Sequence, residues 1–298
     1  MKKLLLAAAL AAVSAPALSG APAPATVRPD ADPALWVLRD EDTTIYLFGT
    51  FHLLDGRRDW FNDEVRTAFD RSDELVLEIV LPDDPAALQP VIQRYAVDAS
   101  GRTLSQRLPA PLRERLTATL GRIGLPAAAV ERYEPWFVSM LLVTTGAQRV
   151  GITGEHGPET VLTAAARARG MPVRGVETAE SQIAMLDATP QAVQIEQLDM
   201  TLQSMSSLEG AFGPMTEAWA AGDSGRLYAI MNGQMAQSPE LYRTVFVERN
   251  ARWTDWLRER MERPGTVFLA VGAGHLAGPD SVQAMLARRG LRTERVAQ

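Results

Sequence analysis

The sequence contains no cysteine. Disulfides, thiolate metal sites and cysteine nucleophiles are excluded together, and the packed core must carry the stability. Lysine is nearly absent: Lys2 and Lys3 are the only two, so the other 28 basic residues are all arginine. Schiff-base chemistry and a phosphate-loop lysine are therefore unavailable beyond the first few residues. Histidine occurs three times, as His52, His156 and His275. There is no His-Glu-x-x-His helix, no Gly-x-Ser-x-Gly elbow and no glycine-rich phosphate loop. Those gaps remove the familiar zinc-protease, serine-esterase and nucleotide-binding signatures.

What is present is a globular composition, 46% hydrophobic over 298 residues, enough for one large core or two modest ones. Residues 1–25 hold two lysines, an apolar run from Leu4 to Val13 and a tail of small residues with Ala-Pro-Ala triplets. This reads as a secretory signal peptide, with cleavage expected in the region 17–25. The run is short for a spanning helix, as is Trp136–Val143, so no stable membrane insertion is expected once the leader is removed. No cysteine is available for a lipid anchor. The mature chain, 26–298, is expected to be a single periplasmic or secreted domain. It sets 28 arginines against 36 acidic residues, a net charge of about −8, which argues against nucleic acid as a partner.

Hydrophobic patterning predicts an α/β (α+β-like) fold. Leu35–Arg39 and Thr44–Phe48 flank the polar break Asp40–Thr43 as a hairpin, a helix comes next at 62–70, and Glu74–Leu81 reads as a third strand. Helical periodicity runs over about 85–150, with Pro109, Pro111, Pro126 and Pro135 at helix starts, and again over about 190–263. Between these stretches lie a helix at 158–169, a strand at 171–177 and a helix at 178–186. The chain ends in strand, helix and strand at 266–271, 280–289 and 292–296. One sheet built from both ends of the chain, with a largely helical middle, satisfies this order. A unit of strand, Gly-x-x-His, helix and strand occurs at 45–81 and again at 266–296, as an internal duplication would produce.

His52 and His275 each stand where an apolar strand ends, behind a Gly-x-x spacer. In α/β sheets the carboxyl ends of parallel strands open onto the ligand crevice. Imidazole is the commonest protein metal ligand and a general base near neutral pH, so the two could converge on one site; alternatively each caps its own strand as a core histidine. Glu78 lies among Leu75, Val76, Leu77, Ile79, Val80 and Leu81. A carboxylate there must be paired, protonated or bound to a cation, a salt bridge to one of the many arginines included. Glu177 ends the strand at 172–176 and is placed either in the same crevice or at a helix start. His156 lies in a glycine-rich loop and reads as exposed. Arg249 lies on a helix with Trp253 and Trp256; spacing makes it a surface arginine, while its chemistry would suit steadying a carboxylate or an oxyanion.

The chain resembles the TraB/GumN family, whose animal relatives are the Tiki proteins. The matching motifs are Tyr46–His52 (YLFGTFH), Leu75–Glu78 (LVLE), Pro135-Trp136, Gly170–Thr178 (GMPVRGVET), Val247–Asn250 (VERN) with Trp253, and Val271–Gly278 (VGAGHLAG). They span nearly the whole of 35–296 and are specific in this order. The resemblance implies a divalent-metal site on the paired Gly-x-x-His motifs and the strand glutamate, carried here by His52, His275 and Glu78. Tiki relatives are regarded as metal-dependent proteases; distant relatives include erythromycin-esterase-like hydrolases and a haem-binding group. One departure is Gly157-Pro-Glu159, where glycine, an apolar residue and an acid are expected, and it leaves a role for Glu159 open.

These readings predict an exported metal-dependent hydrolase, acting on a peptide or another small substrate. His52, Glu78 and His275 are the expected metal ligands, and Glu177 and Arg249 the assisting catalytic residues. Two imidazoles with carboxylates suit manganese, cobalt, zinc or iron. The alternative is a non-catalytic periplasmic binding protein for a peptide, a metal or a haem-like ligand.

Overall fold

The computed structural model describes residues 28–205, 208–235 and 238–297. The expected signal peptide lies outside the described residues.

Six strands form one sheet: β1 (Leu35–Arg39), β2 (Thr43–Thr50), β3 (Glu74–Leu77), β4 (Val173–Gly175), β5 (Gly265–Gly272) and β6 (Glu294–Arg295). Their order across the sheet is β4-β3-β5-β2-β1-β6. β2, β5, β3 and β4 run parallel, while β1 pairs antiparallel with β2 on one side and β6 on the other. The mixed α/β fold built from both ends of the chain is therefore present. The two strand–Gly-x-x-His units place β2 and β5 side by side in parallel, with Thr50 opposite Gly272.

The central strands are apolar almost throughout because both of their faces are covered. Phe48, Leu75, Leu77, Phe268 and Ala270 face one core, closed by Phe69, Leu162 and Trp219 from helices. Ile45, Leu47, Val76, Val267, Leu269 and Val271 face the other, closed by Trp253, Leu257, Val282 and Leu286. The alternation is the two-residue period of a strand read on both sides. The helical middle has a third core of its own, including Leu104, Leu116, Trp136, Leu141 and Leu198. Within that part Arg107, its side chain fully buried, joins Glu134 at 2.6 Å and Asp98 at 2.9 Å, as a charge so deeply placed requires.

Three strands are shorter than their apolar runs suggest. β3 stops at Leu77 rather than Leu81, β4 covers 173–175 rather than 171–177, and β6 covers 294–295 rather than 292–296. The run after Glu78 leaves the sheet, and Val80 and Leu81 are each 38% exposed. Hydrophobicity alone does not separate a strand from the apolar chain that leads out of it.

Candidate functional site

Four neighbouring parallel strands end on one edge of the sheet, and each end delivers a polar side chain. Glu177 stands two residues beyond β4, Glu78 one beyond β3, His275 three beyond β5 and His52 two beyond β2. Backbone pairing continues past β4, where Val176 N–H donates to Leu77 O at 2.9 Å and Glu177 N–H to Glu78 O at 2.8 Å. The two glutamates are thereby held side by side. The long helix Glu248–Met261 lays Arg249 across them.

Gly272 shows how tightly three of these residues converge. A Cβ built on it would stand 3.1 Å from Glu78 Oε1, 3.5 Å from His275 Cδ2 and 3.5 Å from His52 Nε2. Only glycine leaves that point open. The same glycine's N–H donates to Glu78 Oε1 at 2.7 Å.

Arg249 is the hub, and it is buried, 5% exposed, contrary to the surface position its spacing suggests. Its Nη2 donates to Glu78 Oε2 at 2.6 Å and to Glu177 Oε2 at 2.8 Å, and Nε lies 3.1 Å from Glu177 Oε2. Nη1 reaches His275 Nε2 at 3.0 Å, and the guanidinium carbon sits 4.7 Å from the Trp253 ring centre. A single π-helical turn, Arg243–Val247, precedes this segment. Such turns add a residue to the helical repeat and so rotate the side chains of the next turn, and the Val245 carbonyl within it accepts from Arg249 Nη1 at 3.4 Å.

The two histidines are anchored differently. His275, 4% exposed, directs Nδ1 to Asn250 Oδ1 at 2.6 Å. Asn250 is itself fixed by donating to Asp280 O at 2.7 Å. Arginine has no acceptor, so His275 Nε2 must accept, which places the ring proton on Nδ1. Burial pushes this imidazole down to about 3, against the pull of Glu78, so it is neutral. His52, with 62% of its side chain exposed, directs Nδ1 to Glu159 Oε1 at 2.5 Å. Glu159 raises it to about 9. Glu159 also accepts from Thr50 Oγ1 at 2.5 Å. Burial works to raise the Glu78 carboxyl, but His275, Arg249, His52 and the Gly272 N–H outweigh it and hold it well below the usual carboxylate range.

All five expected residues, His52, Glu78, Glu177, Arg249 and His275, are thus brought to one place. Glu159 belongs there too, despite the proline before it. Gln182, from the helix Ala179–Asp187, donates to Glu78 Oε2 at 3.1 Å and to Glu177 Oε2 at 2.8 Å. Gln182, Asn250 and Thr50 escaped sequence reasoning. Asn250 and Thr50 carried a signal, as parts of the Val247–Asn250 and Tyr46–His52 motifs; Gln182 carried none. His156 stays outside the cluster.

The donor set can be tested against a metal ion. Each histidine has Nδ1 tied to a polar partner and Nε2 turned inward, the arrangement in which outer partners orient metal-binding imidazoles. Glu78 supplies a carboxylate at the same point. Against this, Arg249 holds His275 Nε2 and Glu78 Oε2. Among the described residues no three His, Asp or Glu side chains are close enough together to hold an ion. The chemistry of the donors suits a divalent cation; in the present arrangement the guanidinium engages two of them.

The fold and site define an α/β protein with a polar crevice at adjacent parallel strand ends, built on two Gly-x-x-His turns. The chain belongs to the TraB/PrgY/gumN family, whose match spans residues 34–295. It is 26% identical over 256 residues to "Uncharacterized protein YbaP" of Escherichia coli (strain K12), covering 85% of this chain and 92% of that protein. It is 30% identical over 183 residues to "Uncharacterized protein YbaP" of Shigella flexneri, 61% of this chain and 67% of the relative. An "Uncharacterized protein" of Treponema pallidum (strain Nichols) is 22% identical over 273 residues, 86% of this chain and 80% of that one. No solved structure matches.

Proposed function

We propose that this chain is an exported metal-dependent hydrolase acting on peptide bonds. His52, Glu78 and His275 hold the ion, and Glu177 and Arg249 assist. The observation that carries the reading is the convergence over Gly272 of His52 Nε2, the His275 ring and Glu78 Oε1, each imidazole being anchored at Nδ1. The leader-like residues 1–25 support a periplasmic or secreted location.

A divalent ion, when bound, supplies Lewis acidity, polarising an amide carbonyl and easing the deprotonation of water. The chain's own residues do the rest. Asn250 keeps the proton of His275 on Nδ1 and its lone pair at Nε2. Glu159 and Thr50 orient His52 from behind. Glu177 lies beside Glu78 and is steadied by Gln182 and Arg249, so its carboxylate is placed to accept a proton from water. Release of His275 Nε2 by Arg249 frees that guanidinium for the negative charge that develops on a carbonyl oxygen.

The experiment is elemental analysis of gently purified protein, then a peptide-library digest with wild type and His275→Ala under manganese, cobalt and zinc in turn. Cleavage by wild type alone supports the proposal. Glu177→Ala should then retain the ion and lose turnover by roughly 10²-fold or more. A second reading, a non-catalytic binding protein, is favoured by one observation: Arg249 already satisfies Glu78, Glu177 and His275 together. An ion-free protein and an uncleaved library under all three metals would support it.

A further inference from the structure

A cavity of about 200 Å³ lies beside the site and takes no part in it. It is lined by Arg28, Arg58, His156, Asp55 and Asp59, over apolar walls that include Leu54, Trp60 and Val161. We propose that this cavity binds a carboxylate-bearing group about the size of one amino-acid residue.

Size comes first. The space measures about 200 Å³. It is below the roughly 300–1,000 Å³ of pockets for larger ligands. One side chain with its terminal group fits; a drug-sized molecule does not.

Charge decides the class. Arg28, Arg58 and His156 make no ion pair with any described residue, whereas Asp55 lies 3.8 Å from Arg57 and accepts the Arg57 N–H at 3.0 Å. Asp59 is the only acid in the lining without such an engagement among the described residues. Two unengaged guanidiniums against one unengaged carboxylate favour an anion, and a guanidinium fork suits a carboxylate. Trp60, 5% exposed and stacked on Phe48 at 5.5 Å, gives the body of the ligand a fixed apolar wall.

The cavity is built into the frame that carries His52. Leu54, two residues after His52, exchanges two backbone hydrogen bonds with Thr153, at 3.1 and 2.9 Å. A Cβ on Gly157 would lie 2.3 Å from His52 O, so the 154–157 turn is pressed against the His52 backbone. Val161 is two residues beyond Glu159, the partner of His52. The His156 ring closes over Gly56, where a Cβ would meet it at 2.8 Å.

The test is equilibrium binding to the full chain by calorimetry, with N-acetylphenylalanine, its carboxamide and phenethylamine as probes. Binding requires no turnover and is repeated on His275→Ala, so failure of the hydrolase reading leaves this result interpretable. Wild type and His275→Ala should bind the acid saturably and prefer it to the amide by roughly tenfold or more. Arg58→Gln should abolish that preference with an unchanged melting temperature. Should Arg58→Gln fold poorly, Arg28→Gln, at an exposed position, is expected to weaken acid binding in its place. No saturable binding, equal binding of acid and amide, a preference for phenethylamine, or acid binding untouched by both arginine changes would overturn the proposal.

Discussion

Arg249 donates from Nη1 to Nε2 of His275 at 3.0 Å, so a single buried cation fixes the tautomer of the more buried histidine. The same guanidinium pairs with both Glu78 and Glu177. Removing it leaves two largely buried carboxylates without their main partner. Arg249→Met should cost about 3–5 kcal/mol in denaturant unfolding of the metal-free protein. An ion that took over the two carboxylates would restore part of this loss, read as a larger rise in melting temperature on metal addition than wild type shows. Unchanged stability in Arg249→Met would mean that water already compensates these charges.

The His52–Glu159 pair gives a pH dependence with a definite sign. Its folded-state value of about 9 lies above the ordinary 6.5. Its contribution to stability is therefore complete below about pH 6.5 and is lost as pH rises through about 9. Water reaches this ring, so the effect is small. Glu159 is held low by His52 and Thr50 against the opposing effect of burial, and its own contribution is lost on acidification. Wild type should lose more melting temperature between pH 6.5 and 9.5 than His52→Gln does. Parallel curves would show that the pair is too well solvated to matter.

Metal uptake should release a proton. If His52 Nε2 is a ligand, it must shed the proton that Glu159 favours on the ring. Titrating manganese or zinc into weakly buffered protein at pH 7.5 should liberate roughly one proton per ion bound. The amount should fall sharply in His52→Ala. Binding without proton release would remove His52 from the ligand set.

Asn250 is a positioning residue whose loss should be felt through His275. Asn250→Leu removes the acceptor at 2.6 Å from Nδ1 and lets the ring exchange tautomers. Outer partners of this kind change metal affinity by roughly 10–100-fold. Competition against a chromogenic chelator should show that weakening, and Asn250→Asp, which keeps an acceptor, should recover most of it. If leucine and aspartate behave alike, tautomer control is not the role of this side chain.

Much of the site was legible because strand ends announce themselves: an apolar run, a glycine, then His52 or His275. Glu78 was visible as a charge inside an apolar run, and Glu177 as an acid after Gly175. What the sequence hid depends on tertiary direction. Arg249 looks like a surface residue on a helix rich in arginine; the π turn at 243–247 and the packing of Trp253 beside His275, ring centres 4.3 Å apart, accompany its inward position. Gln182 sits in an ordinary polar context and Thr50 is one residue of a motif read for its histidine, and only the folded chain shows which carboxylates they meet. Ile79–Leu81 misled in the opposite sense, because apolar character continues where the sheet does not.

The strand that holds the sheet together is the last of the four parallel strands to be made. β5 lies between β2 and β3, which do not touch each other as strands, so a nascent chain grown only as far as residue 264 owns both flanks and lacks the partner that joins them. Pairings across such sequence distances form slowly. Synthesis of Gly265–Gly272 must come before the parallel sheet, and with it the crevice, can form. Until residue 272 is made, a chain drawn through a narrow pore from its amino end has no finished sheet to unravel.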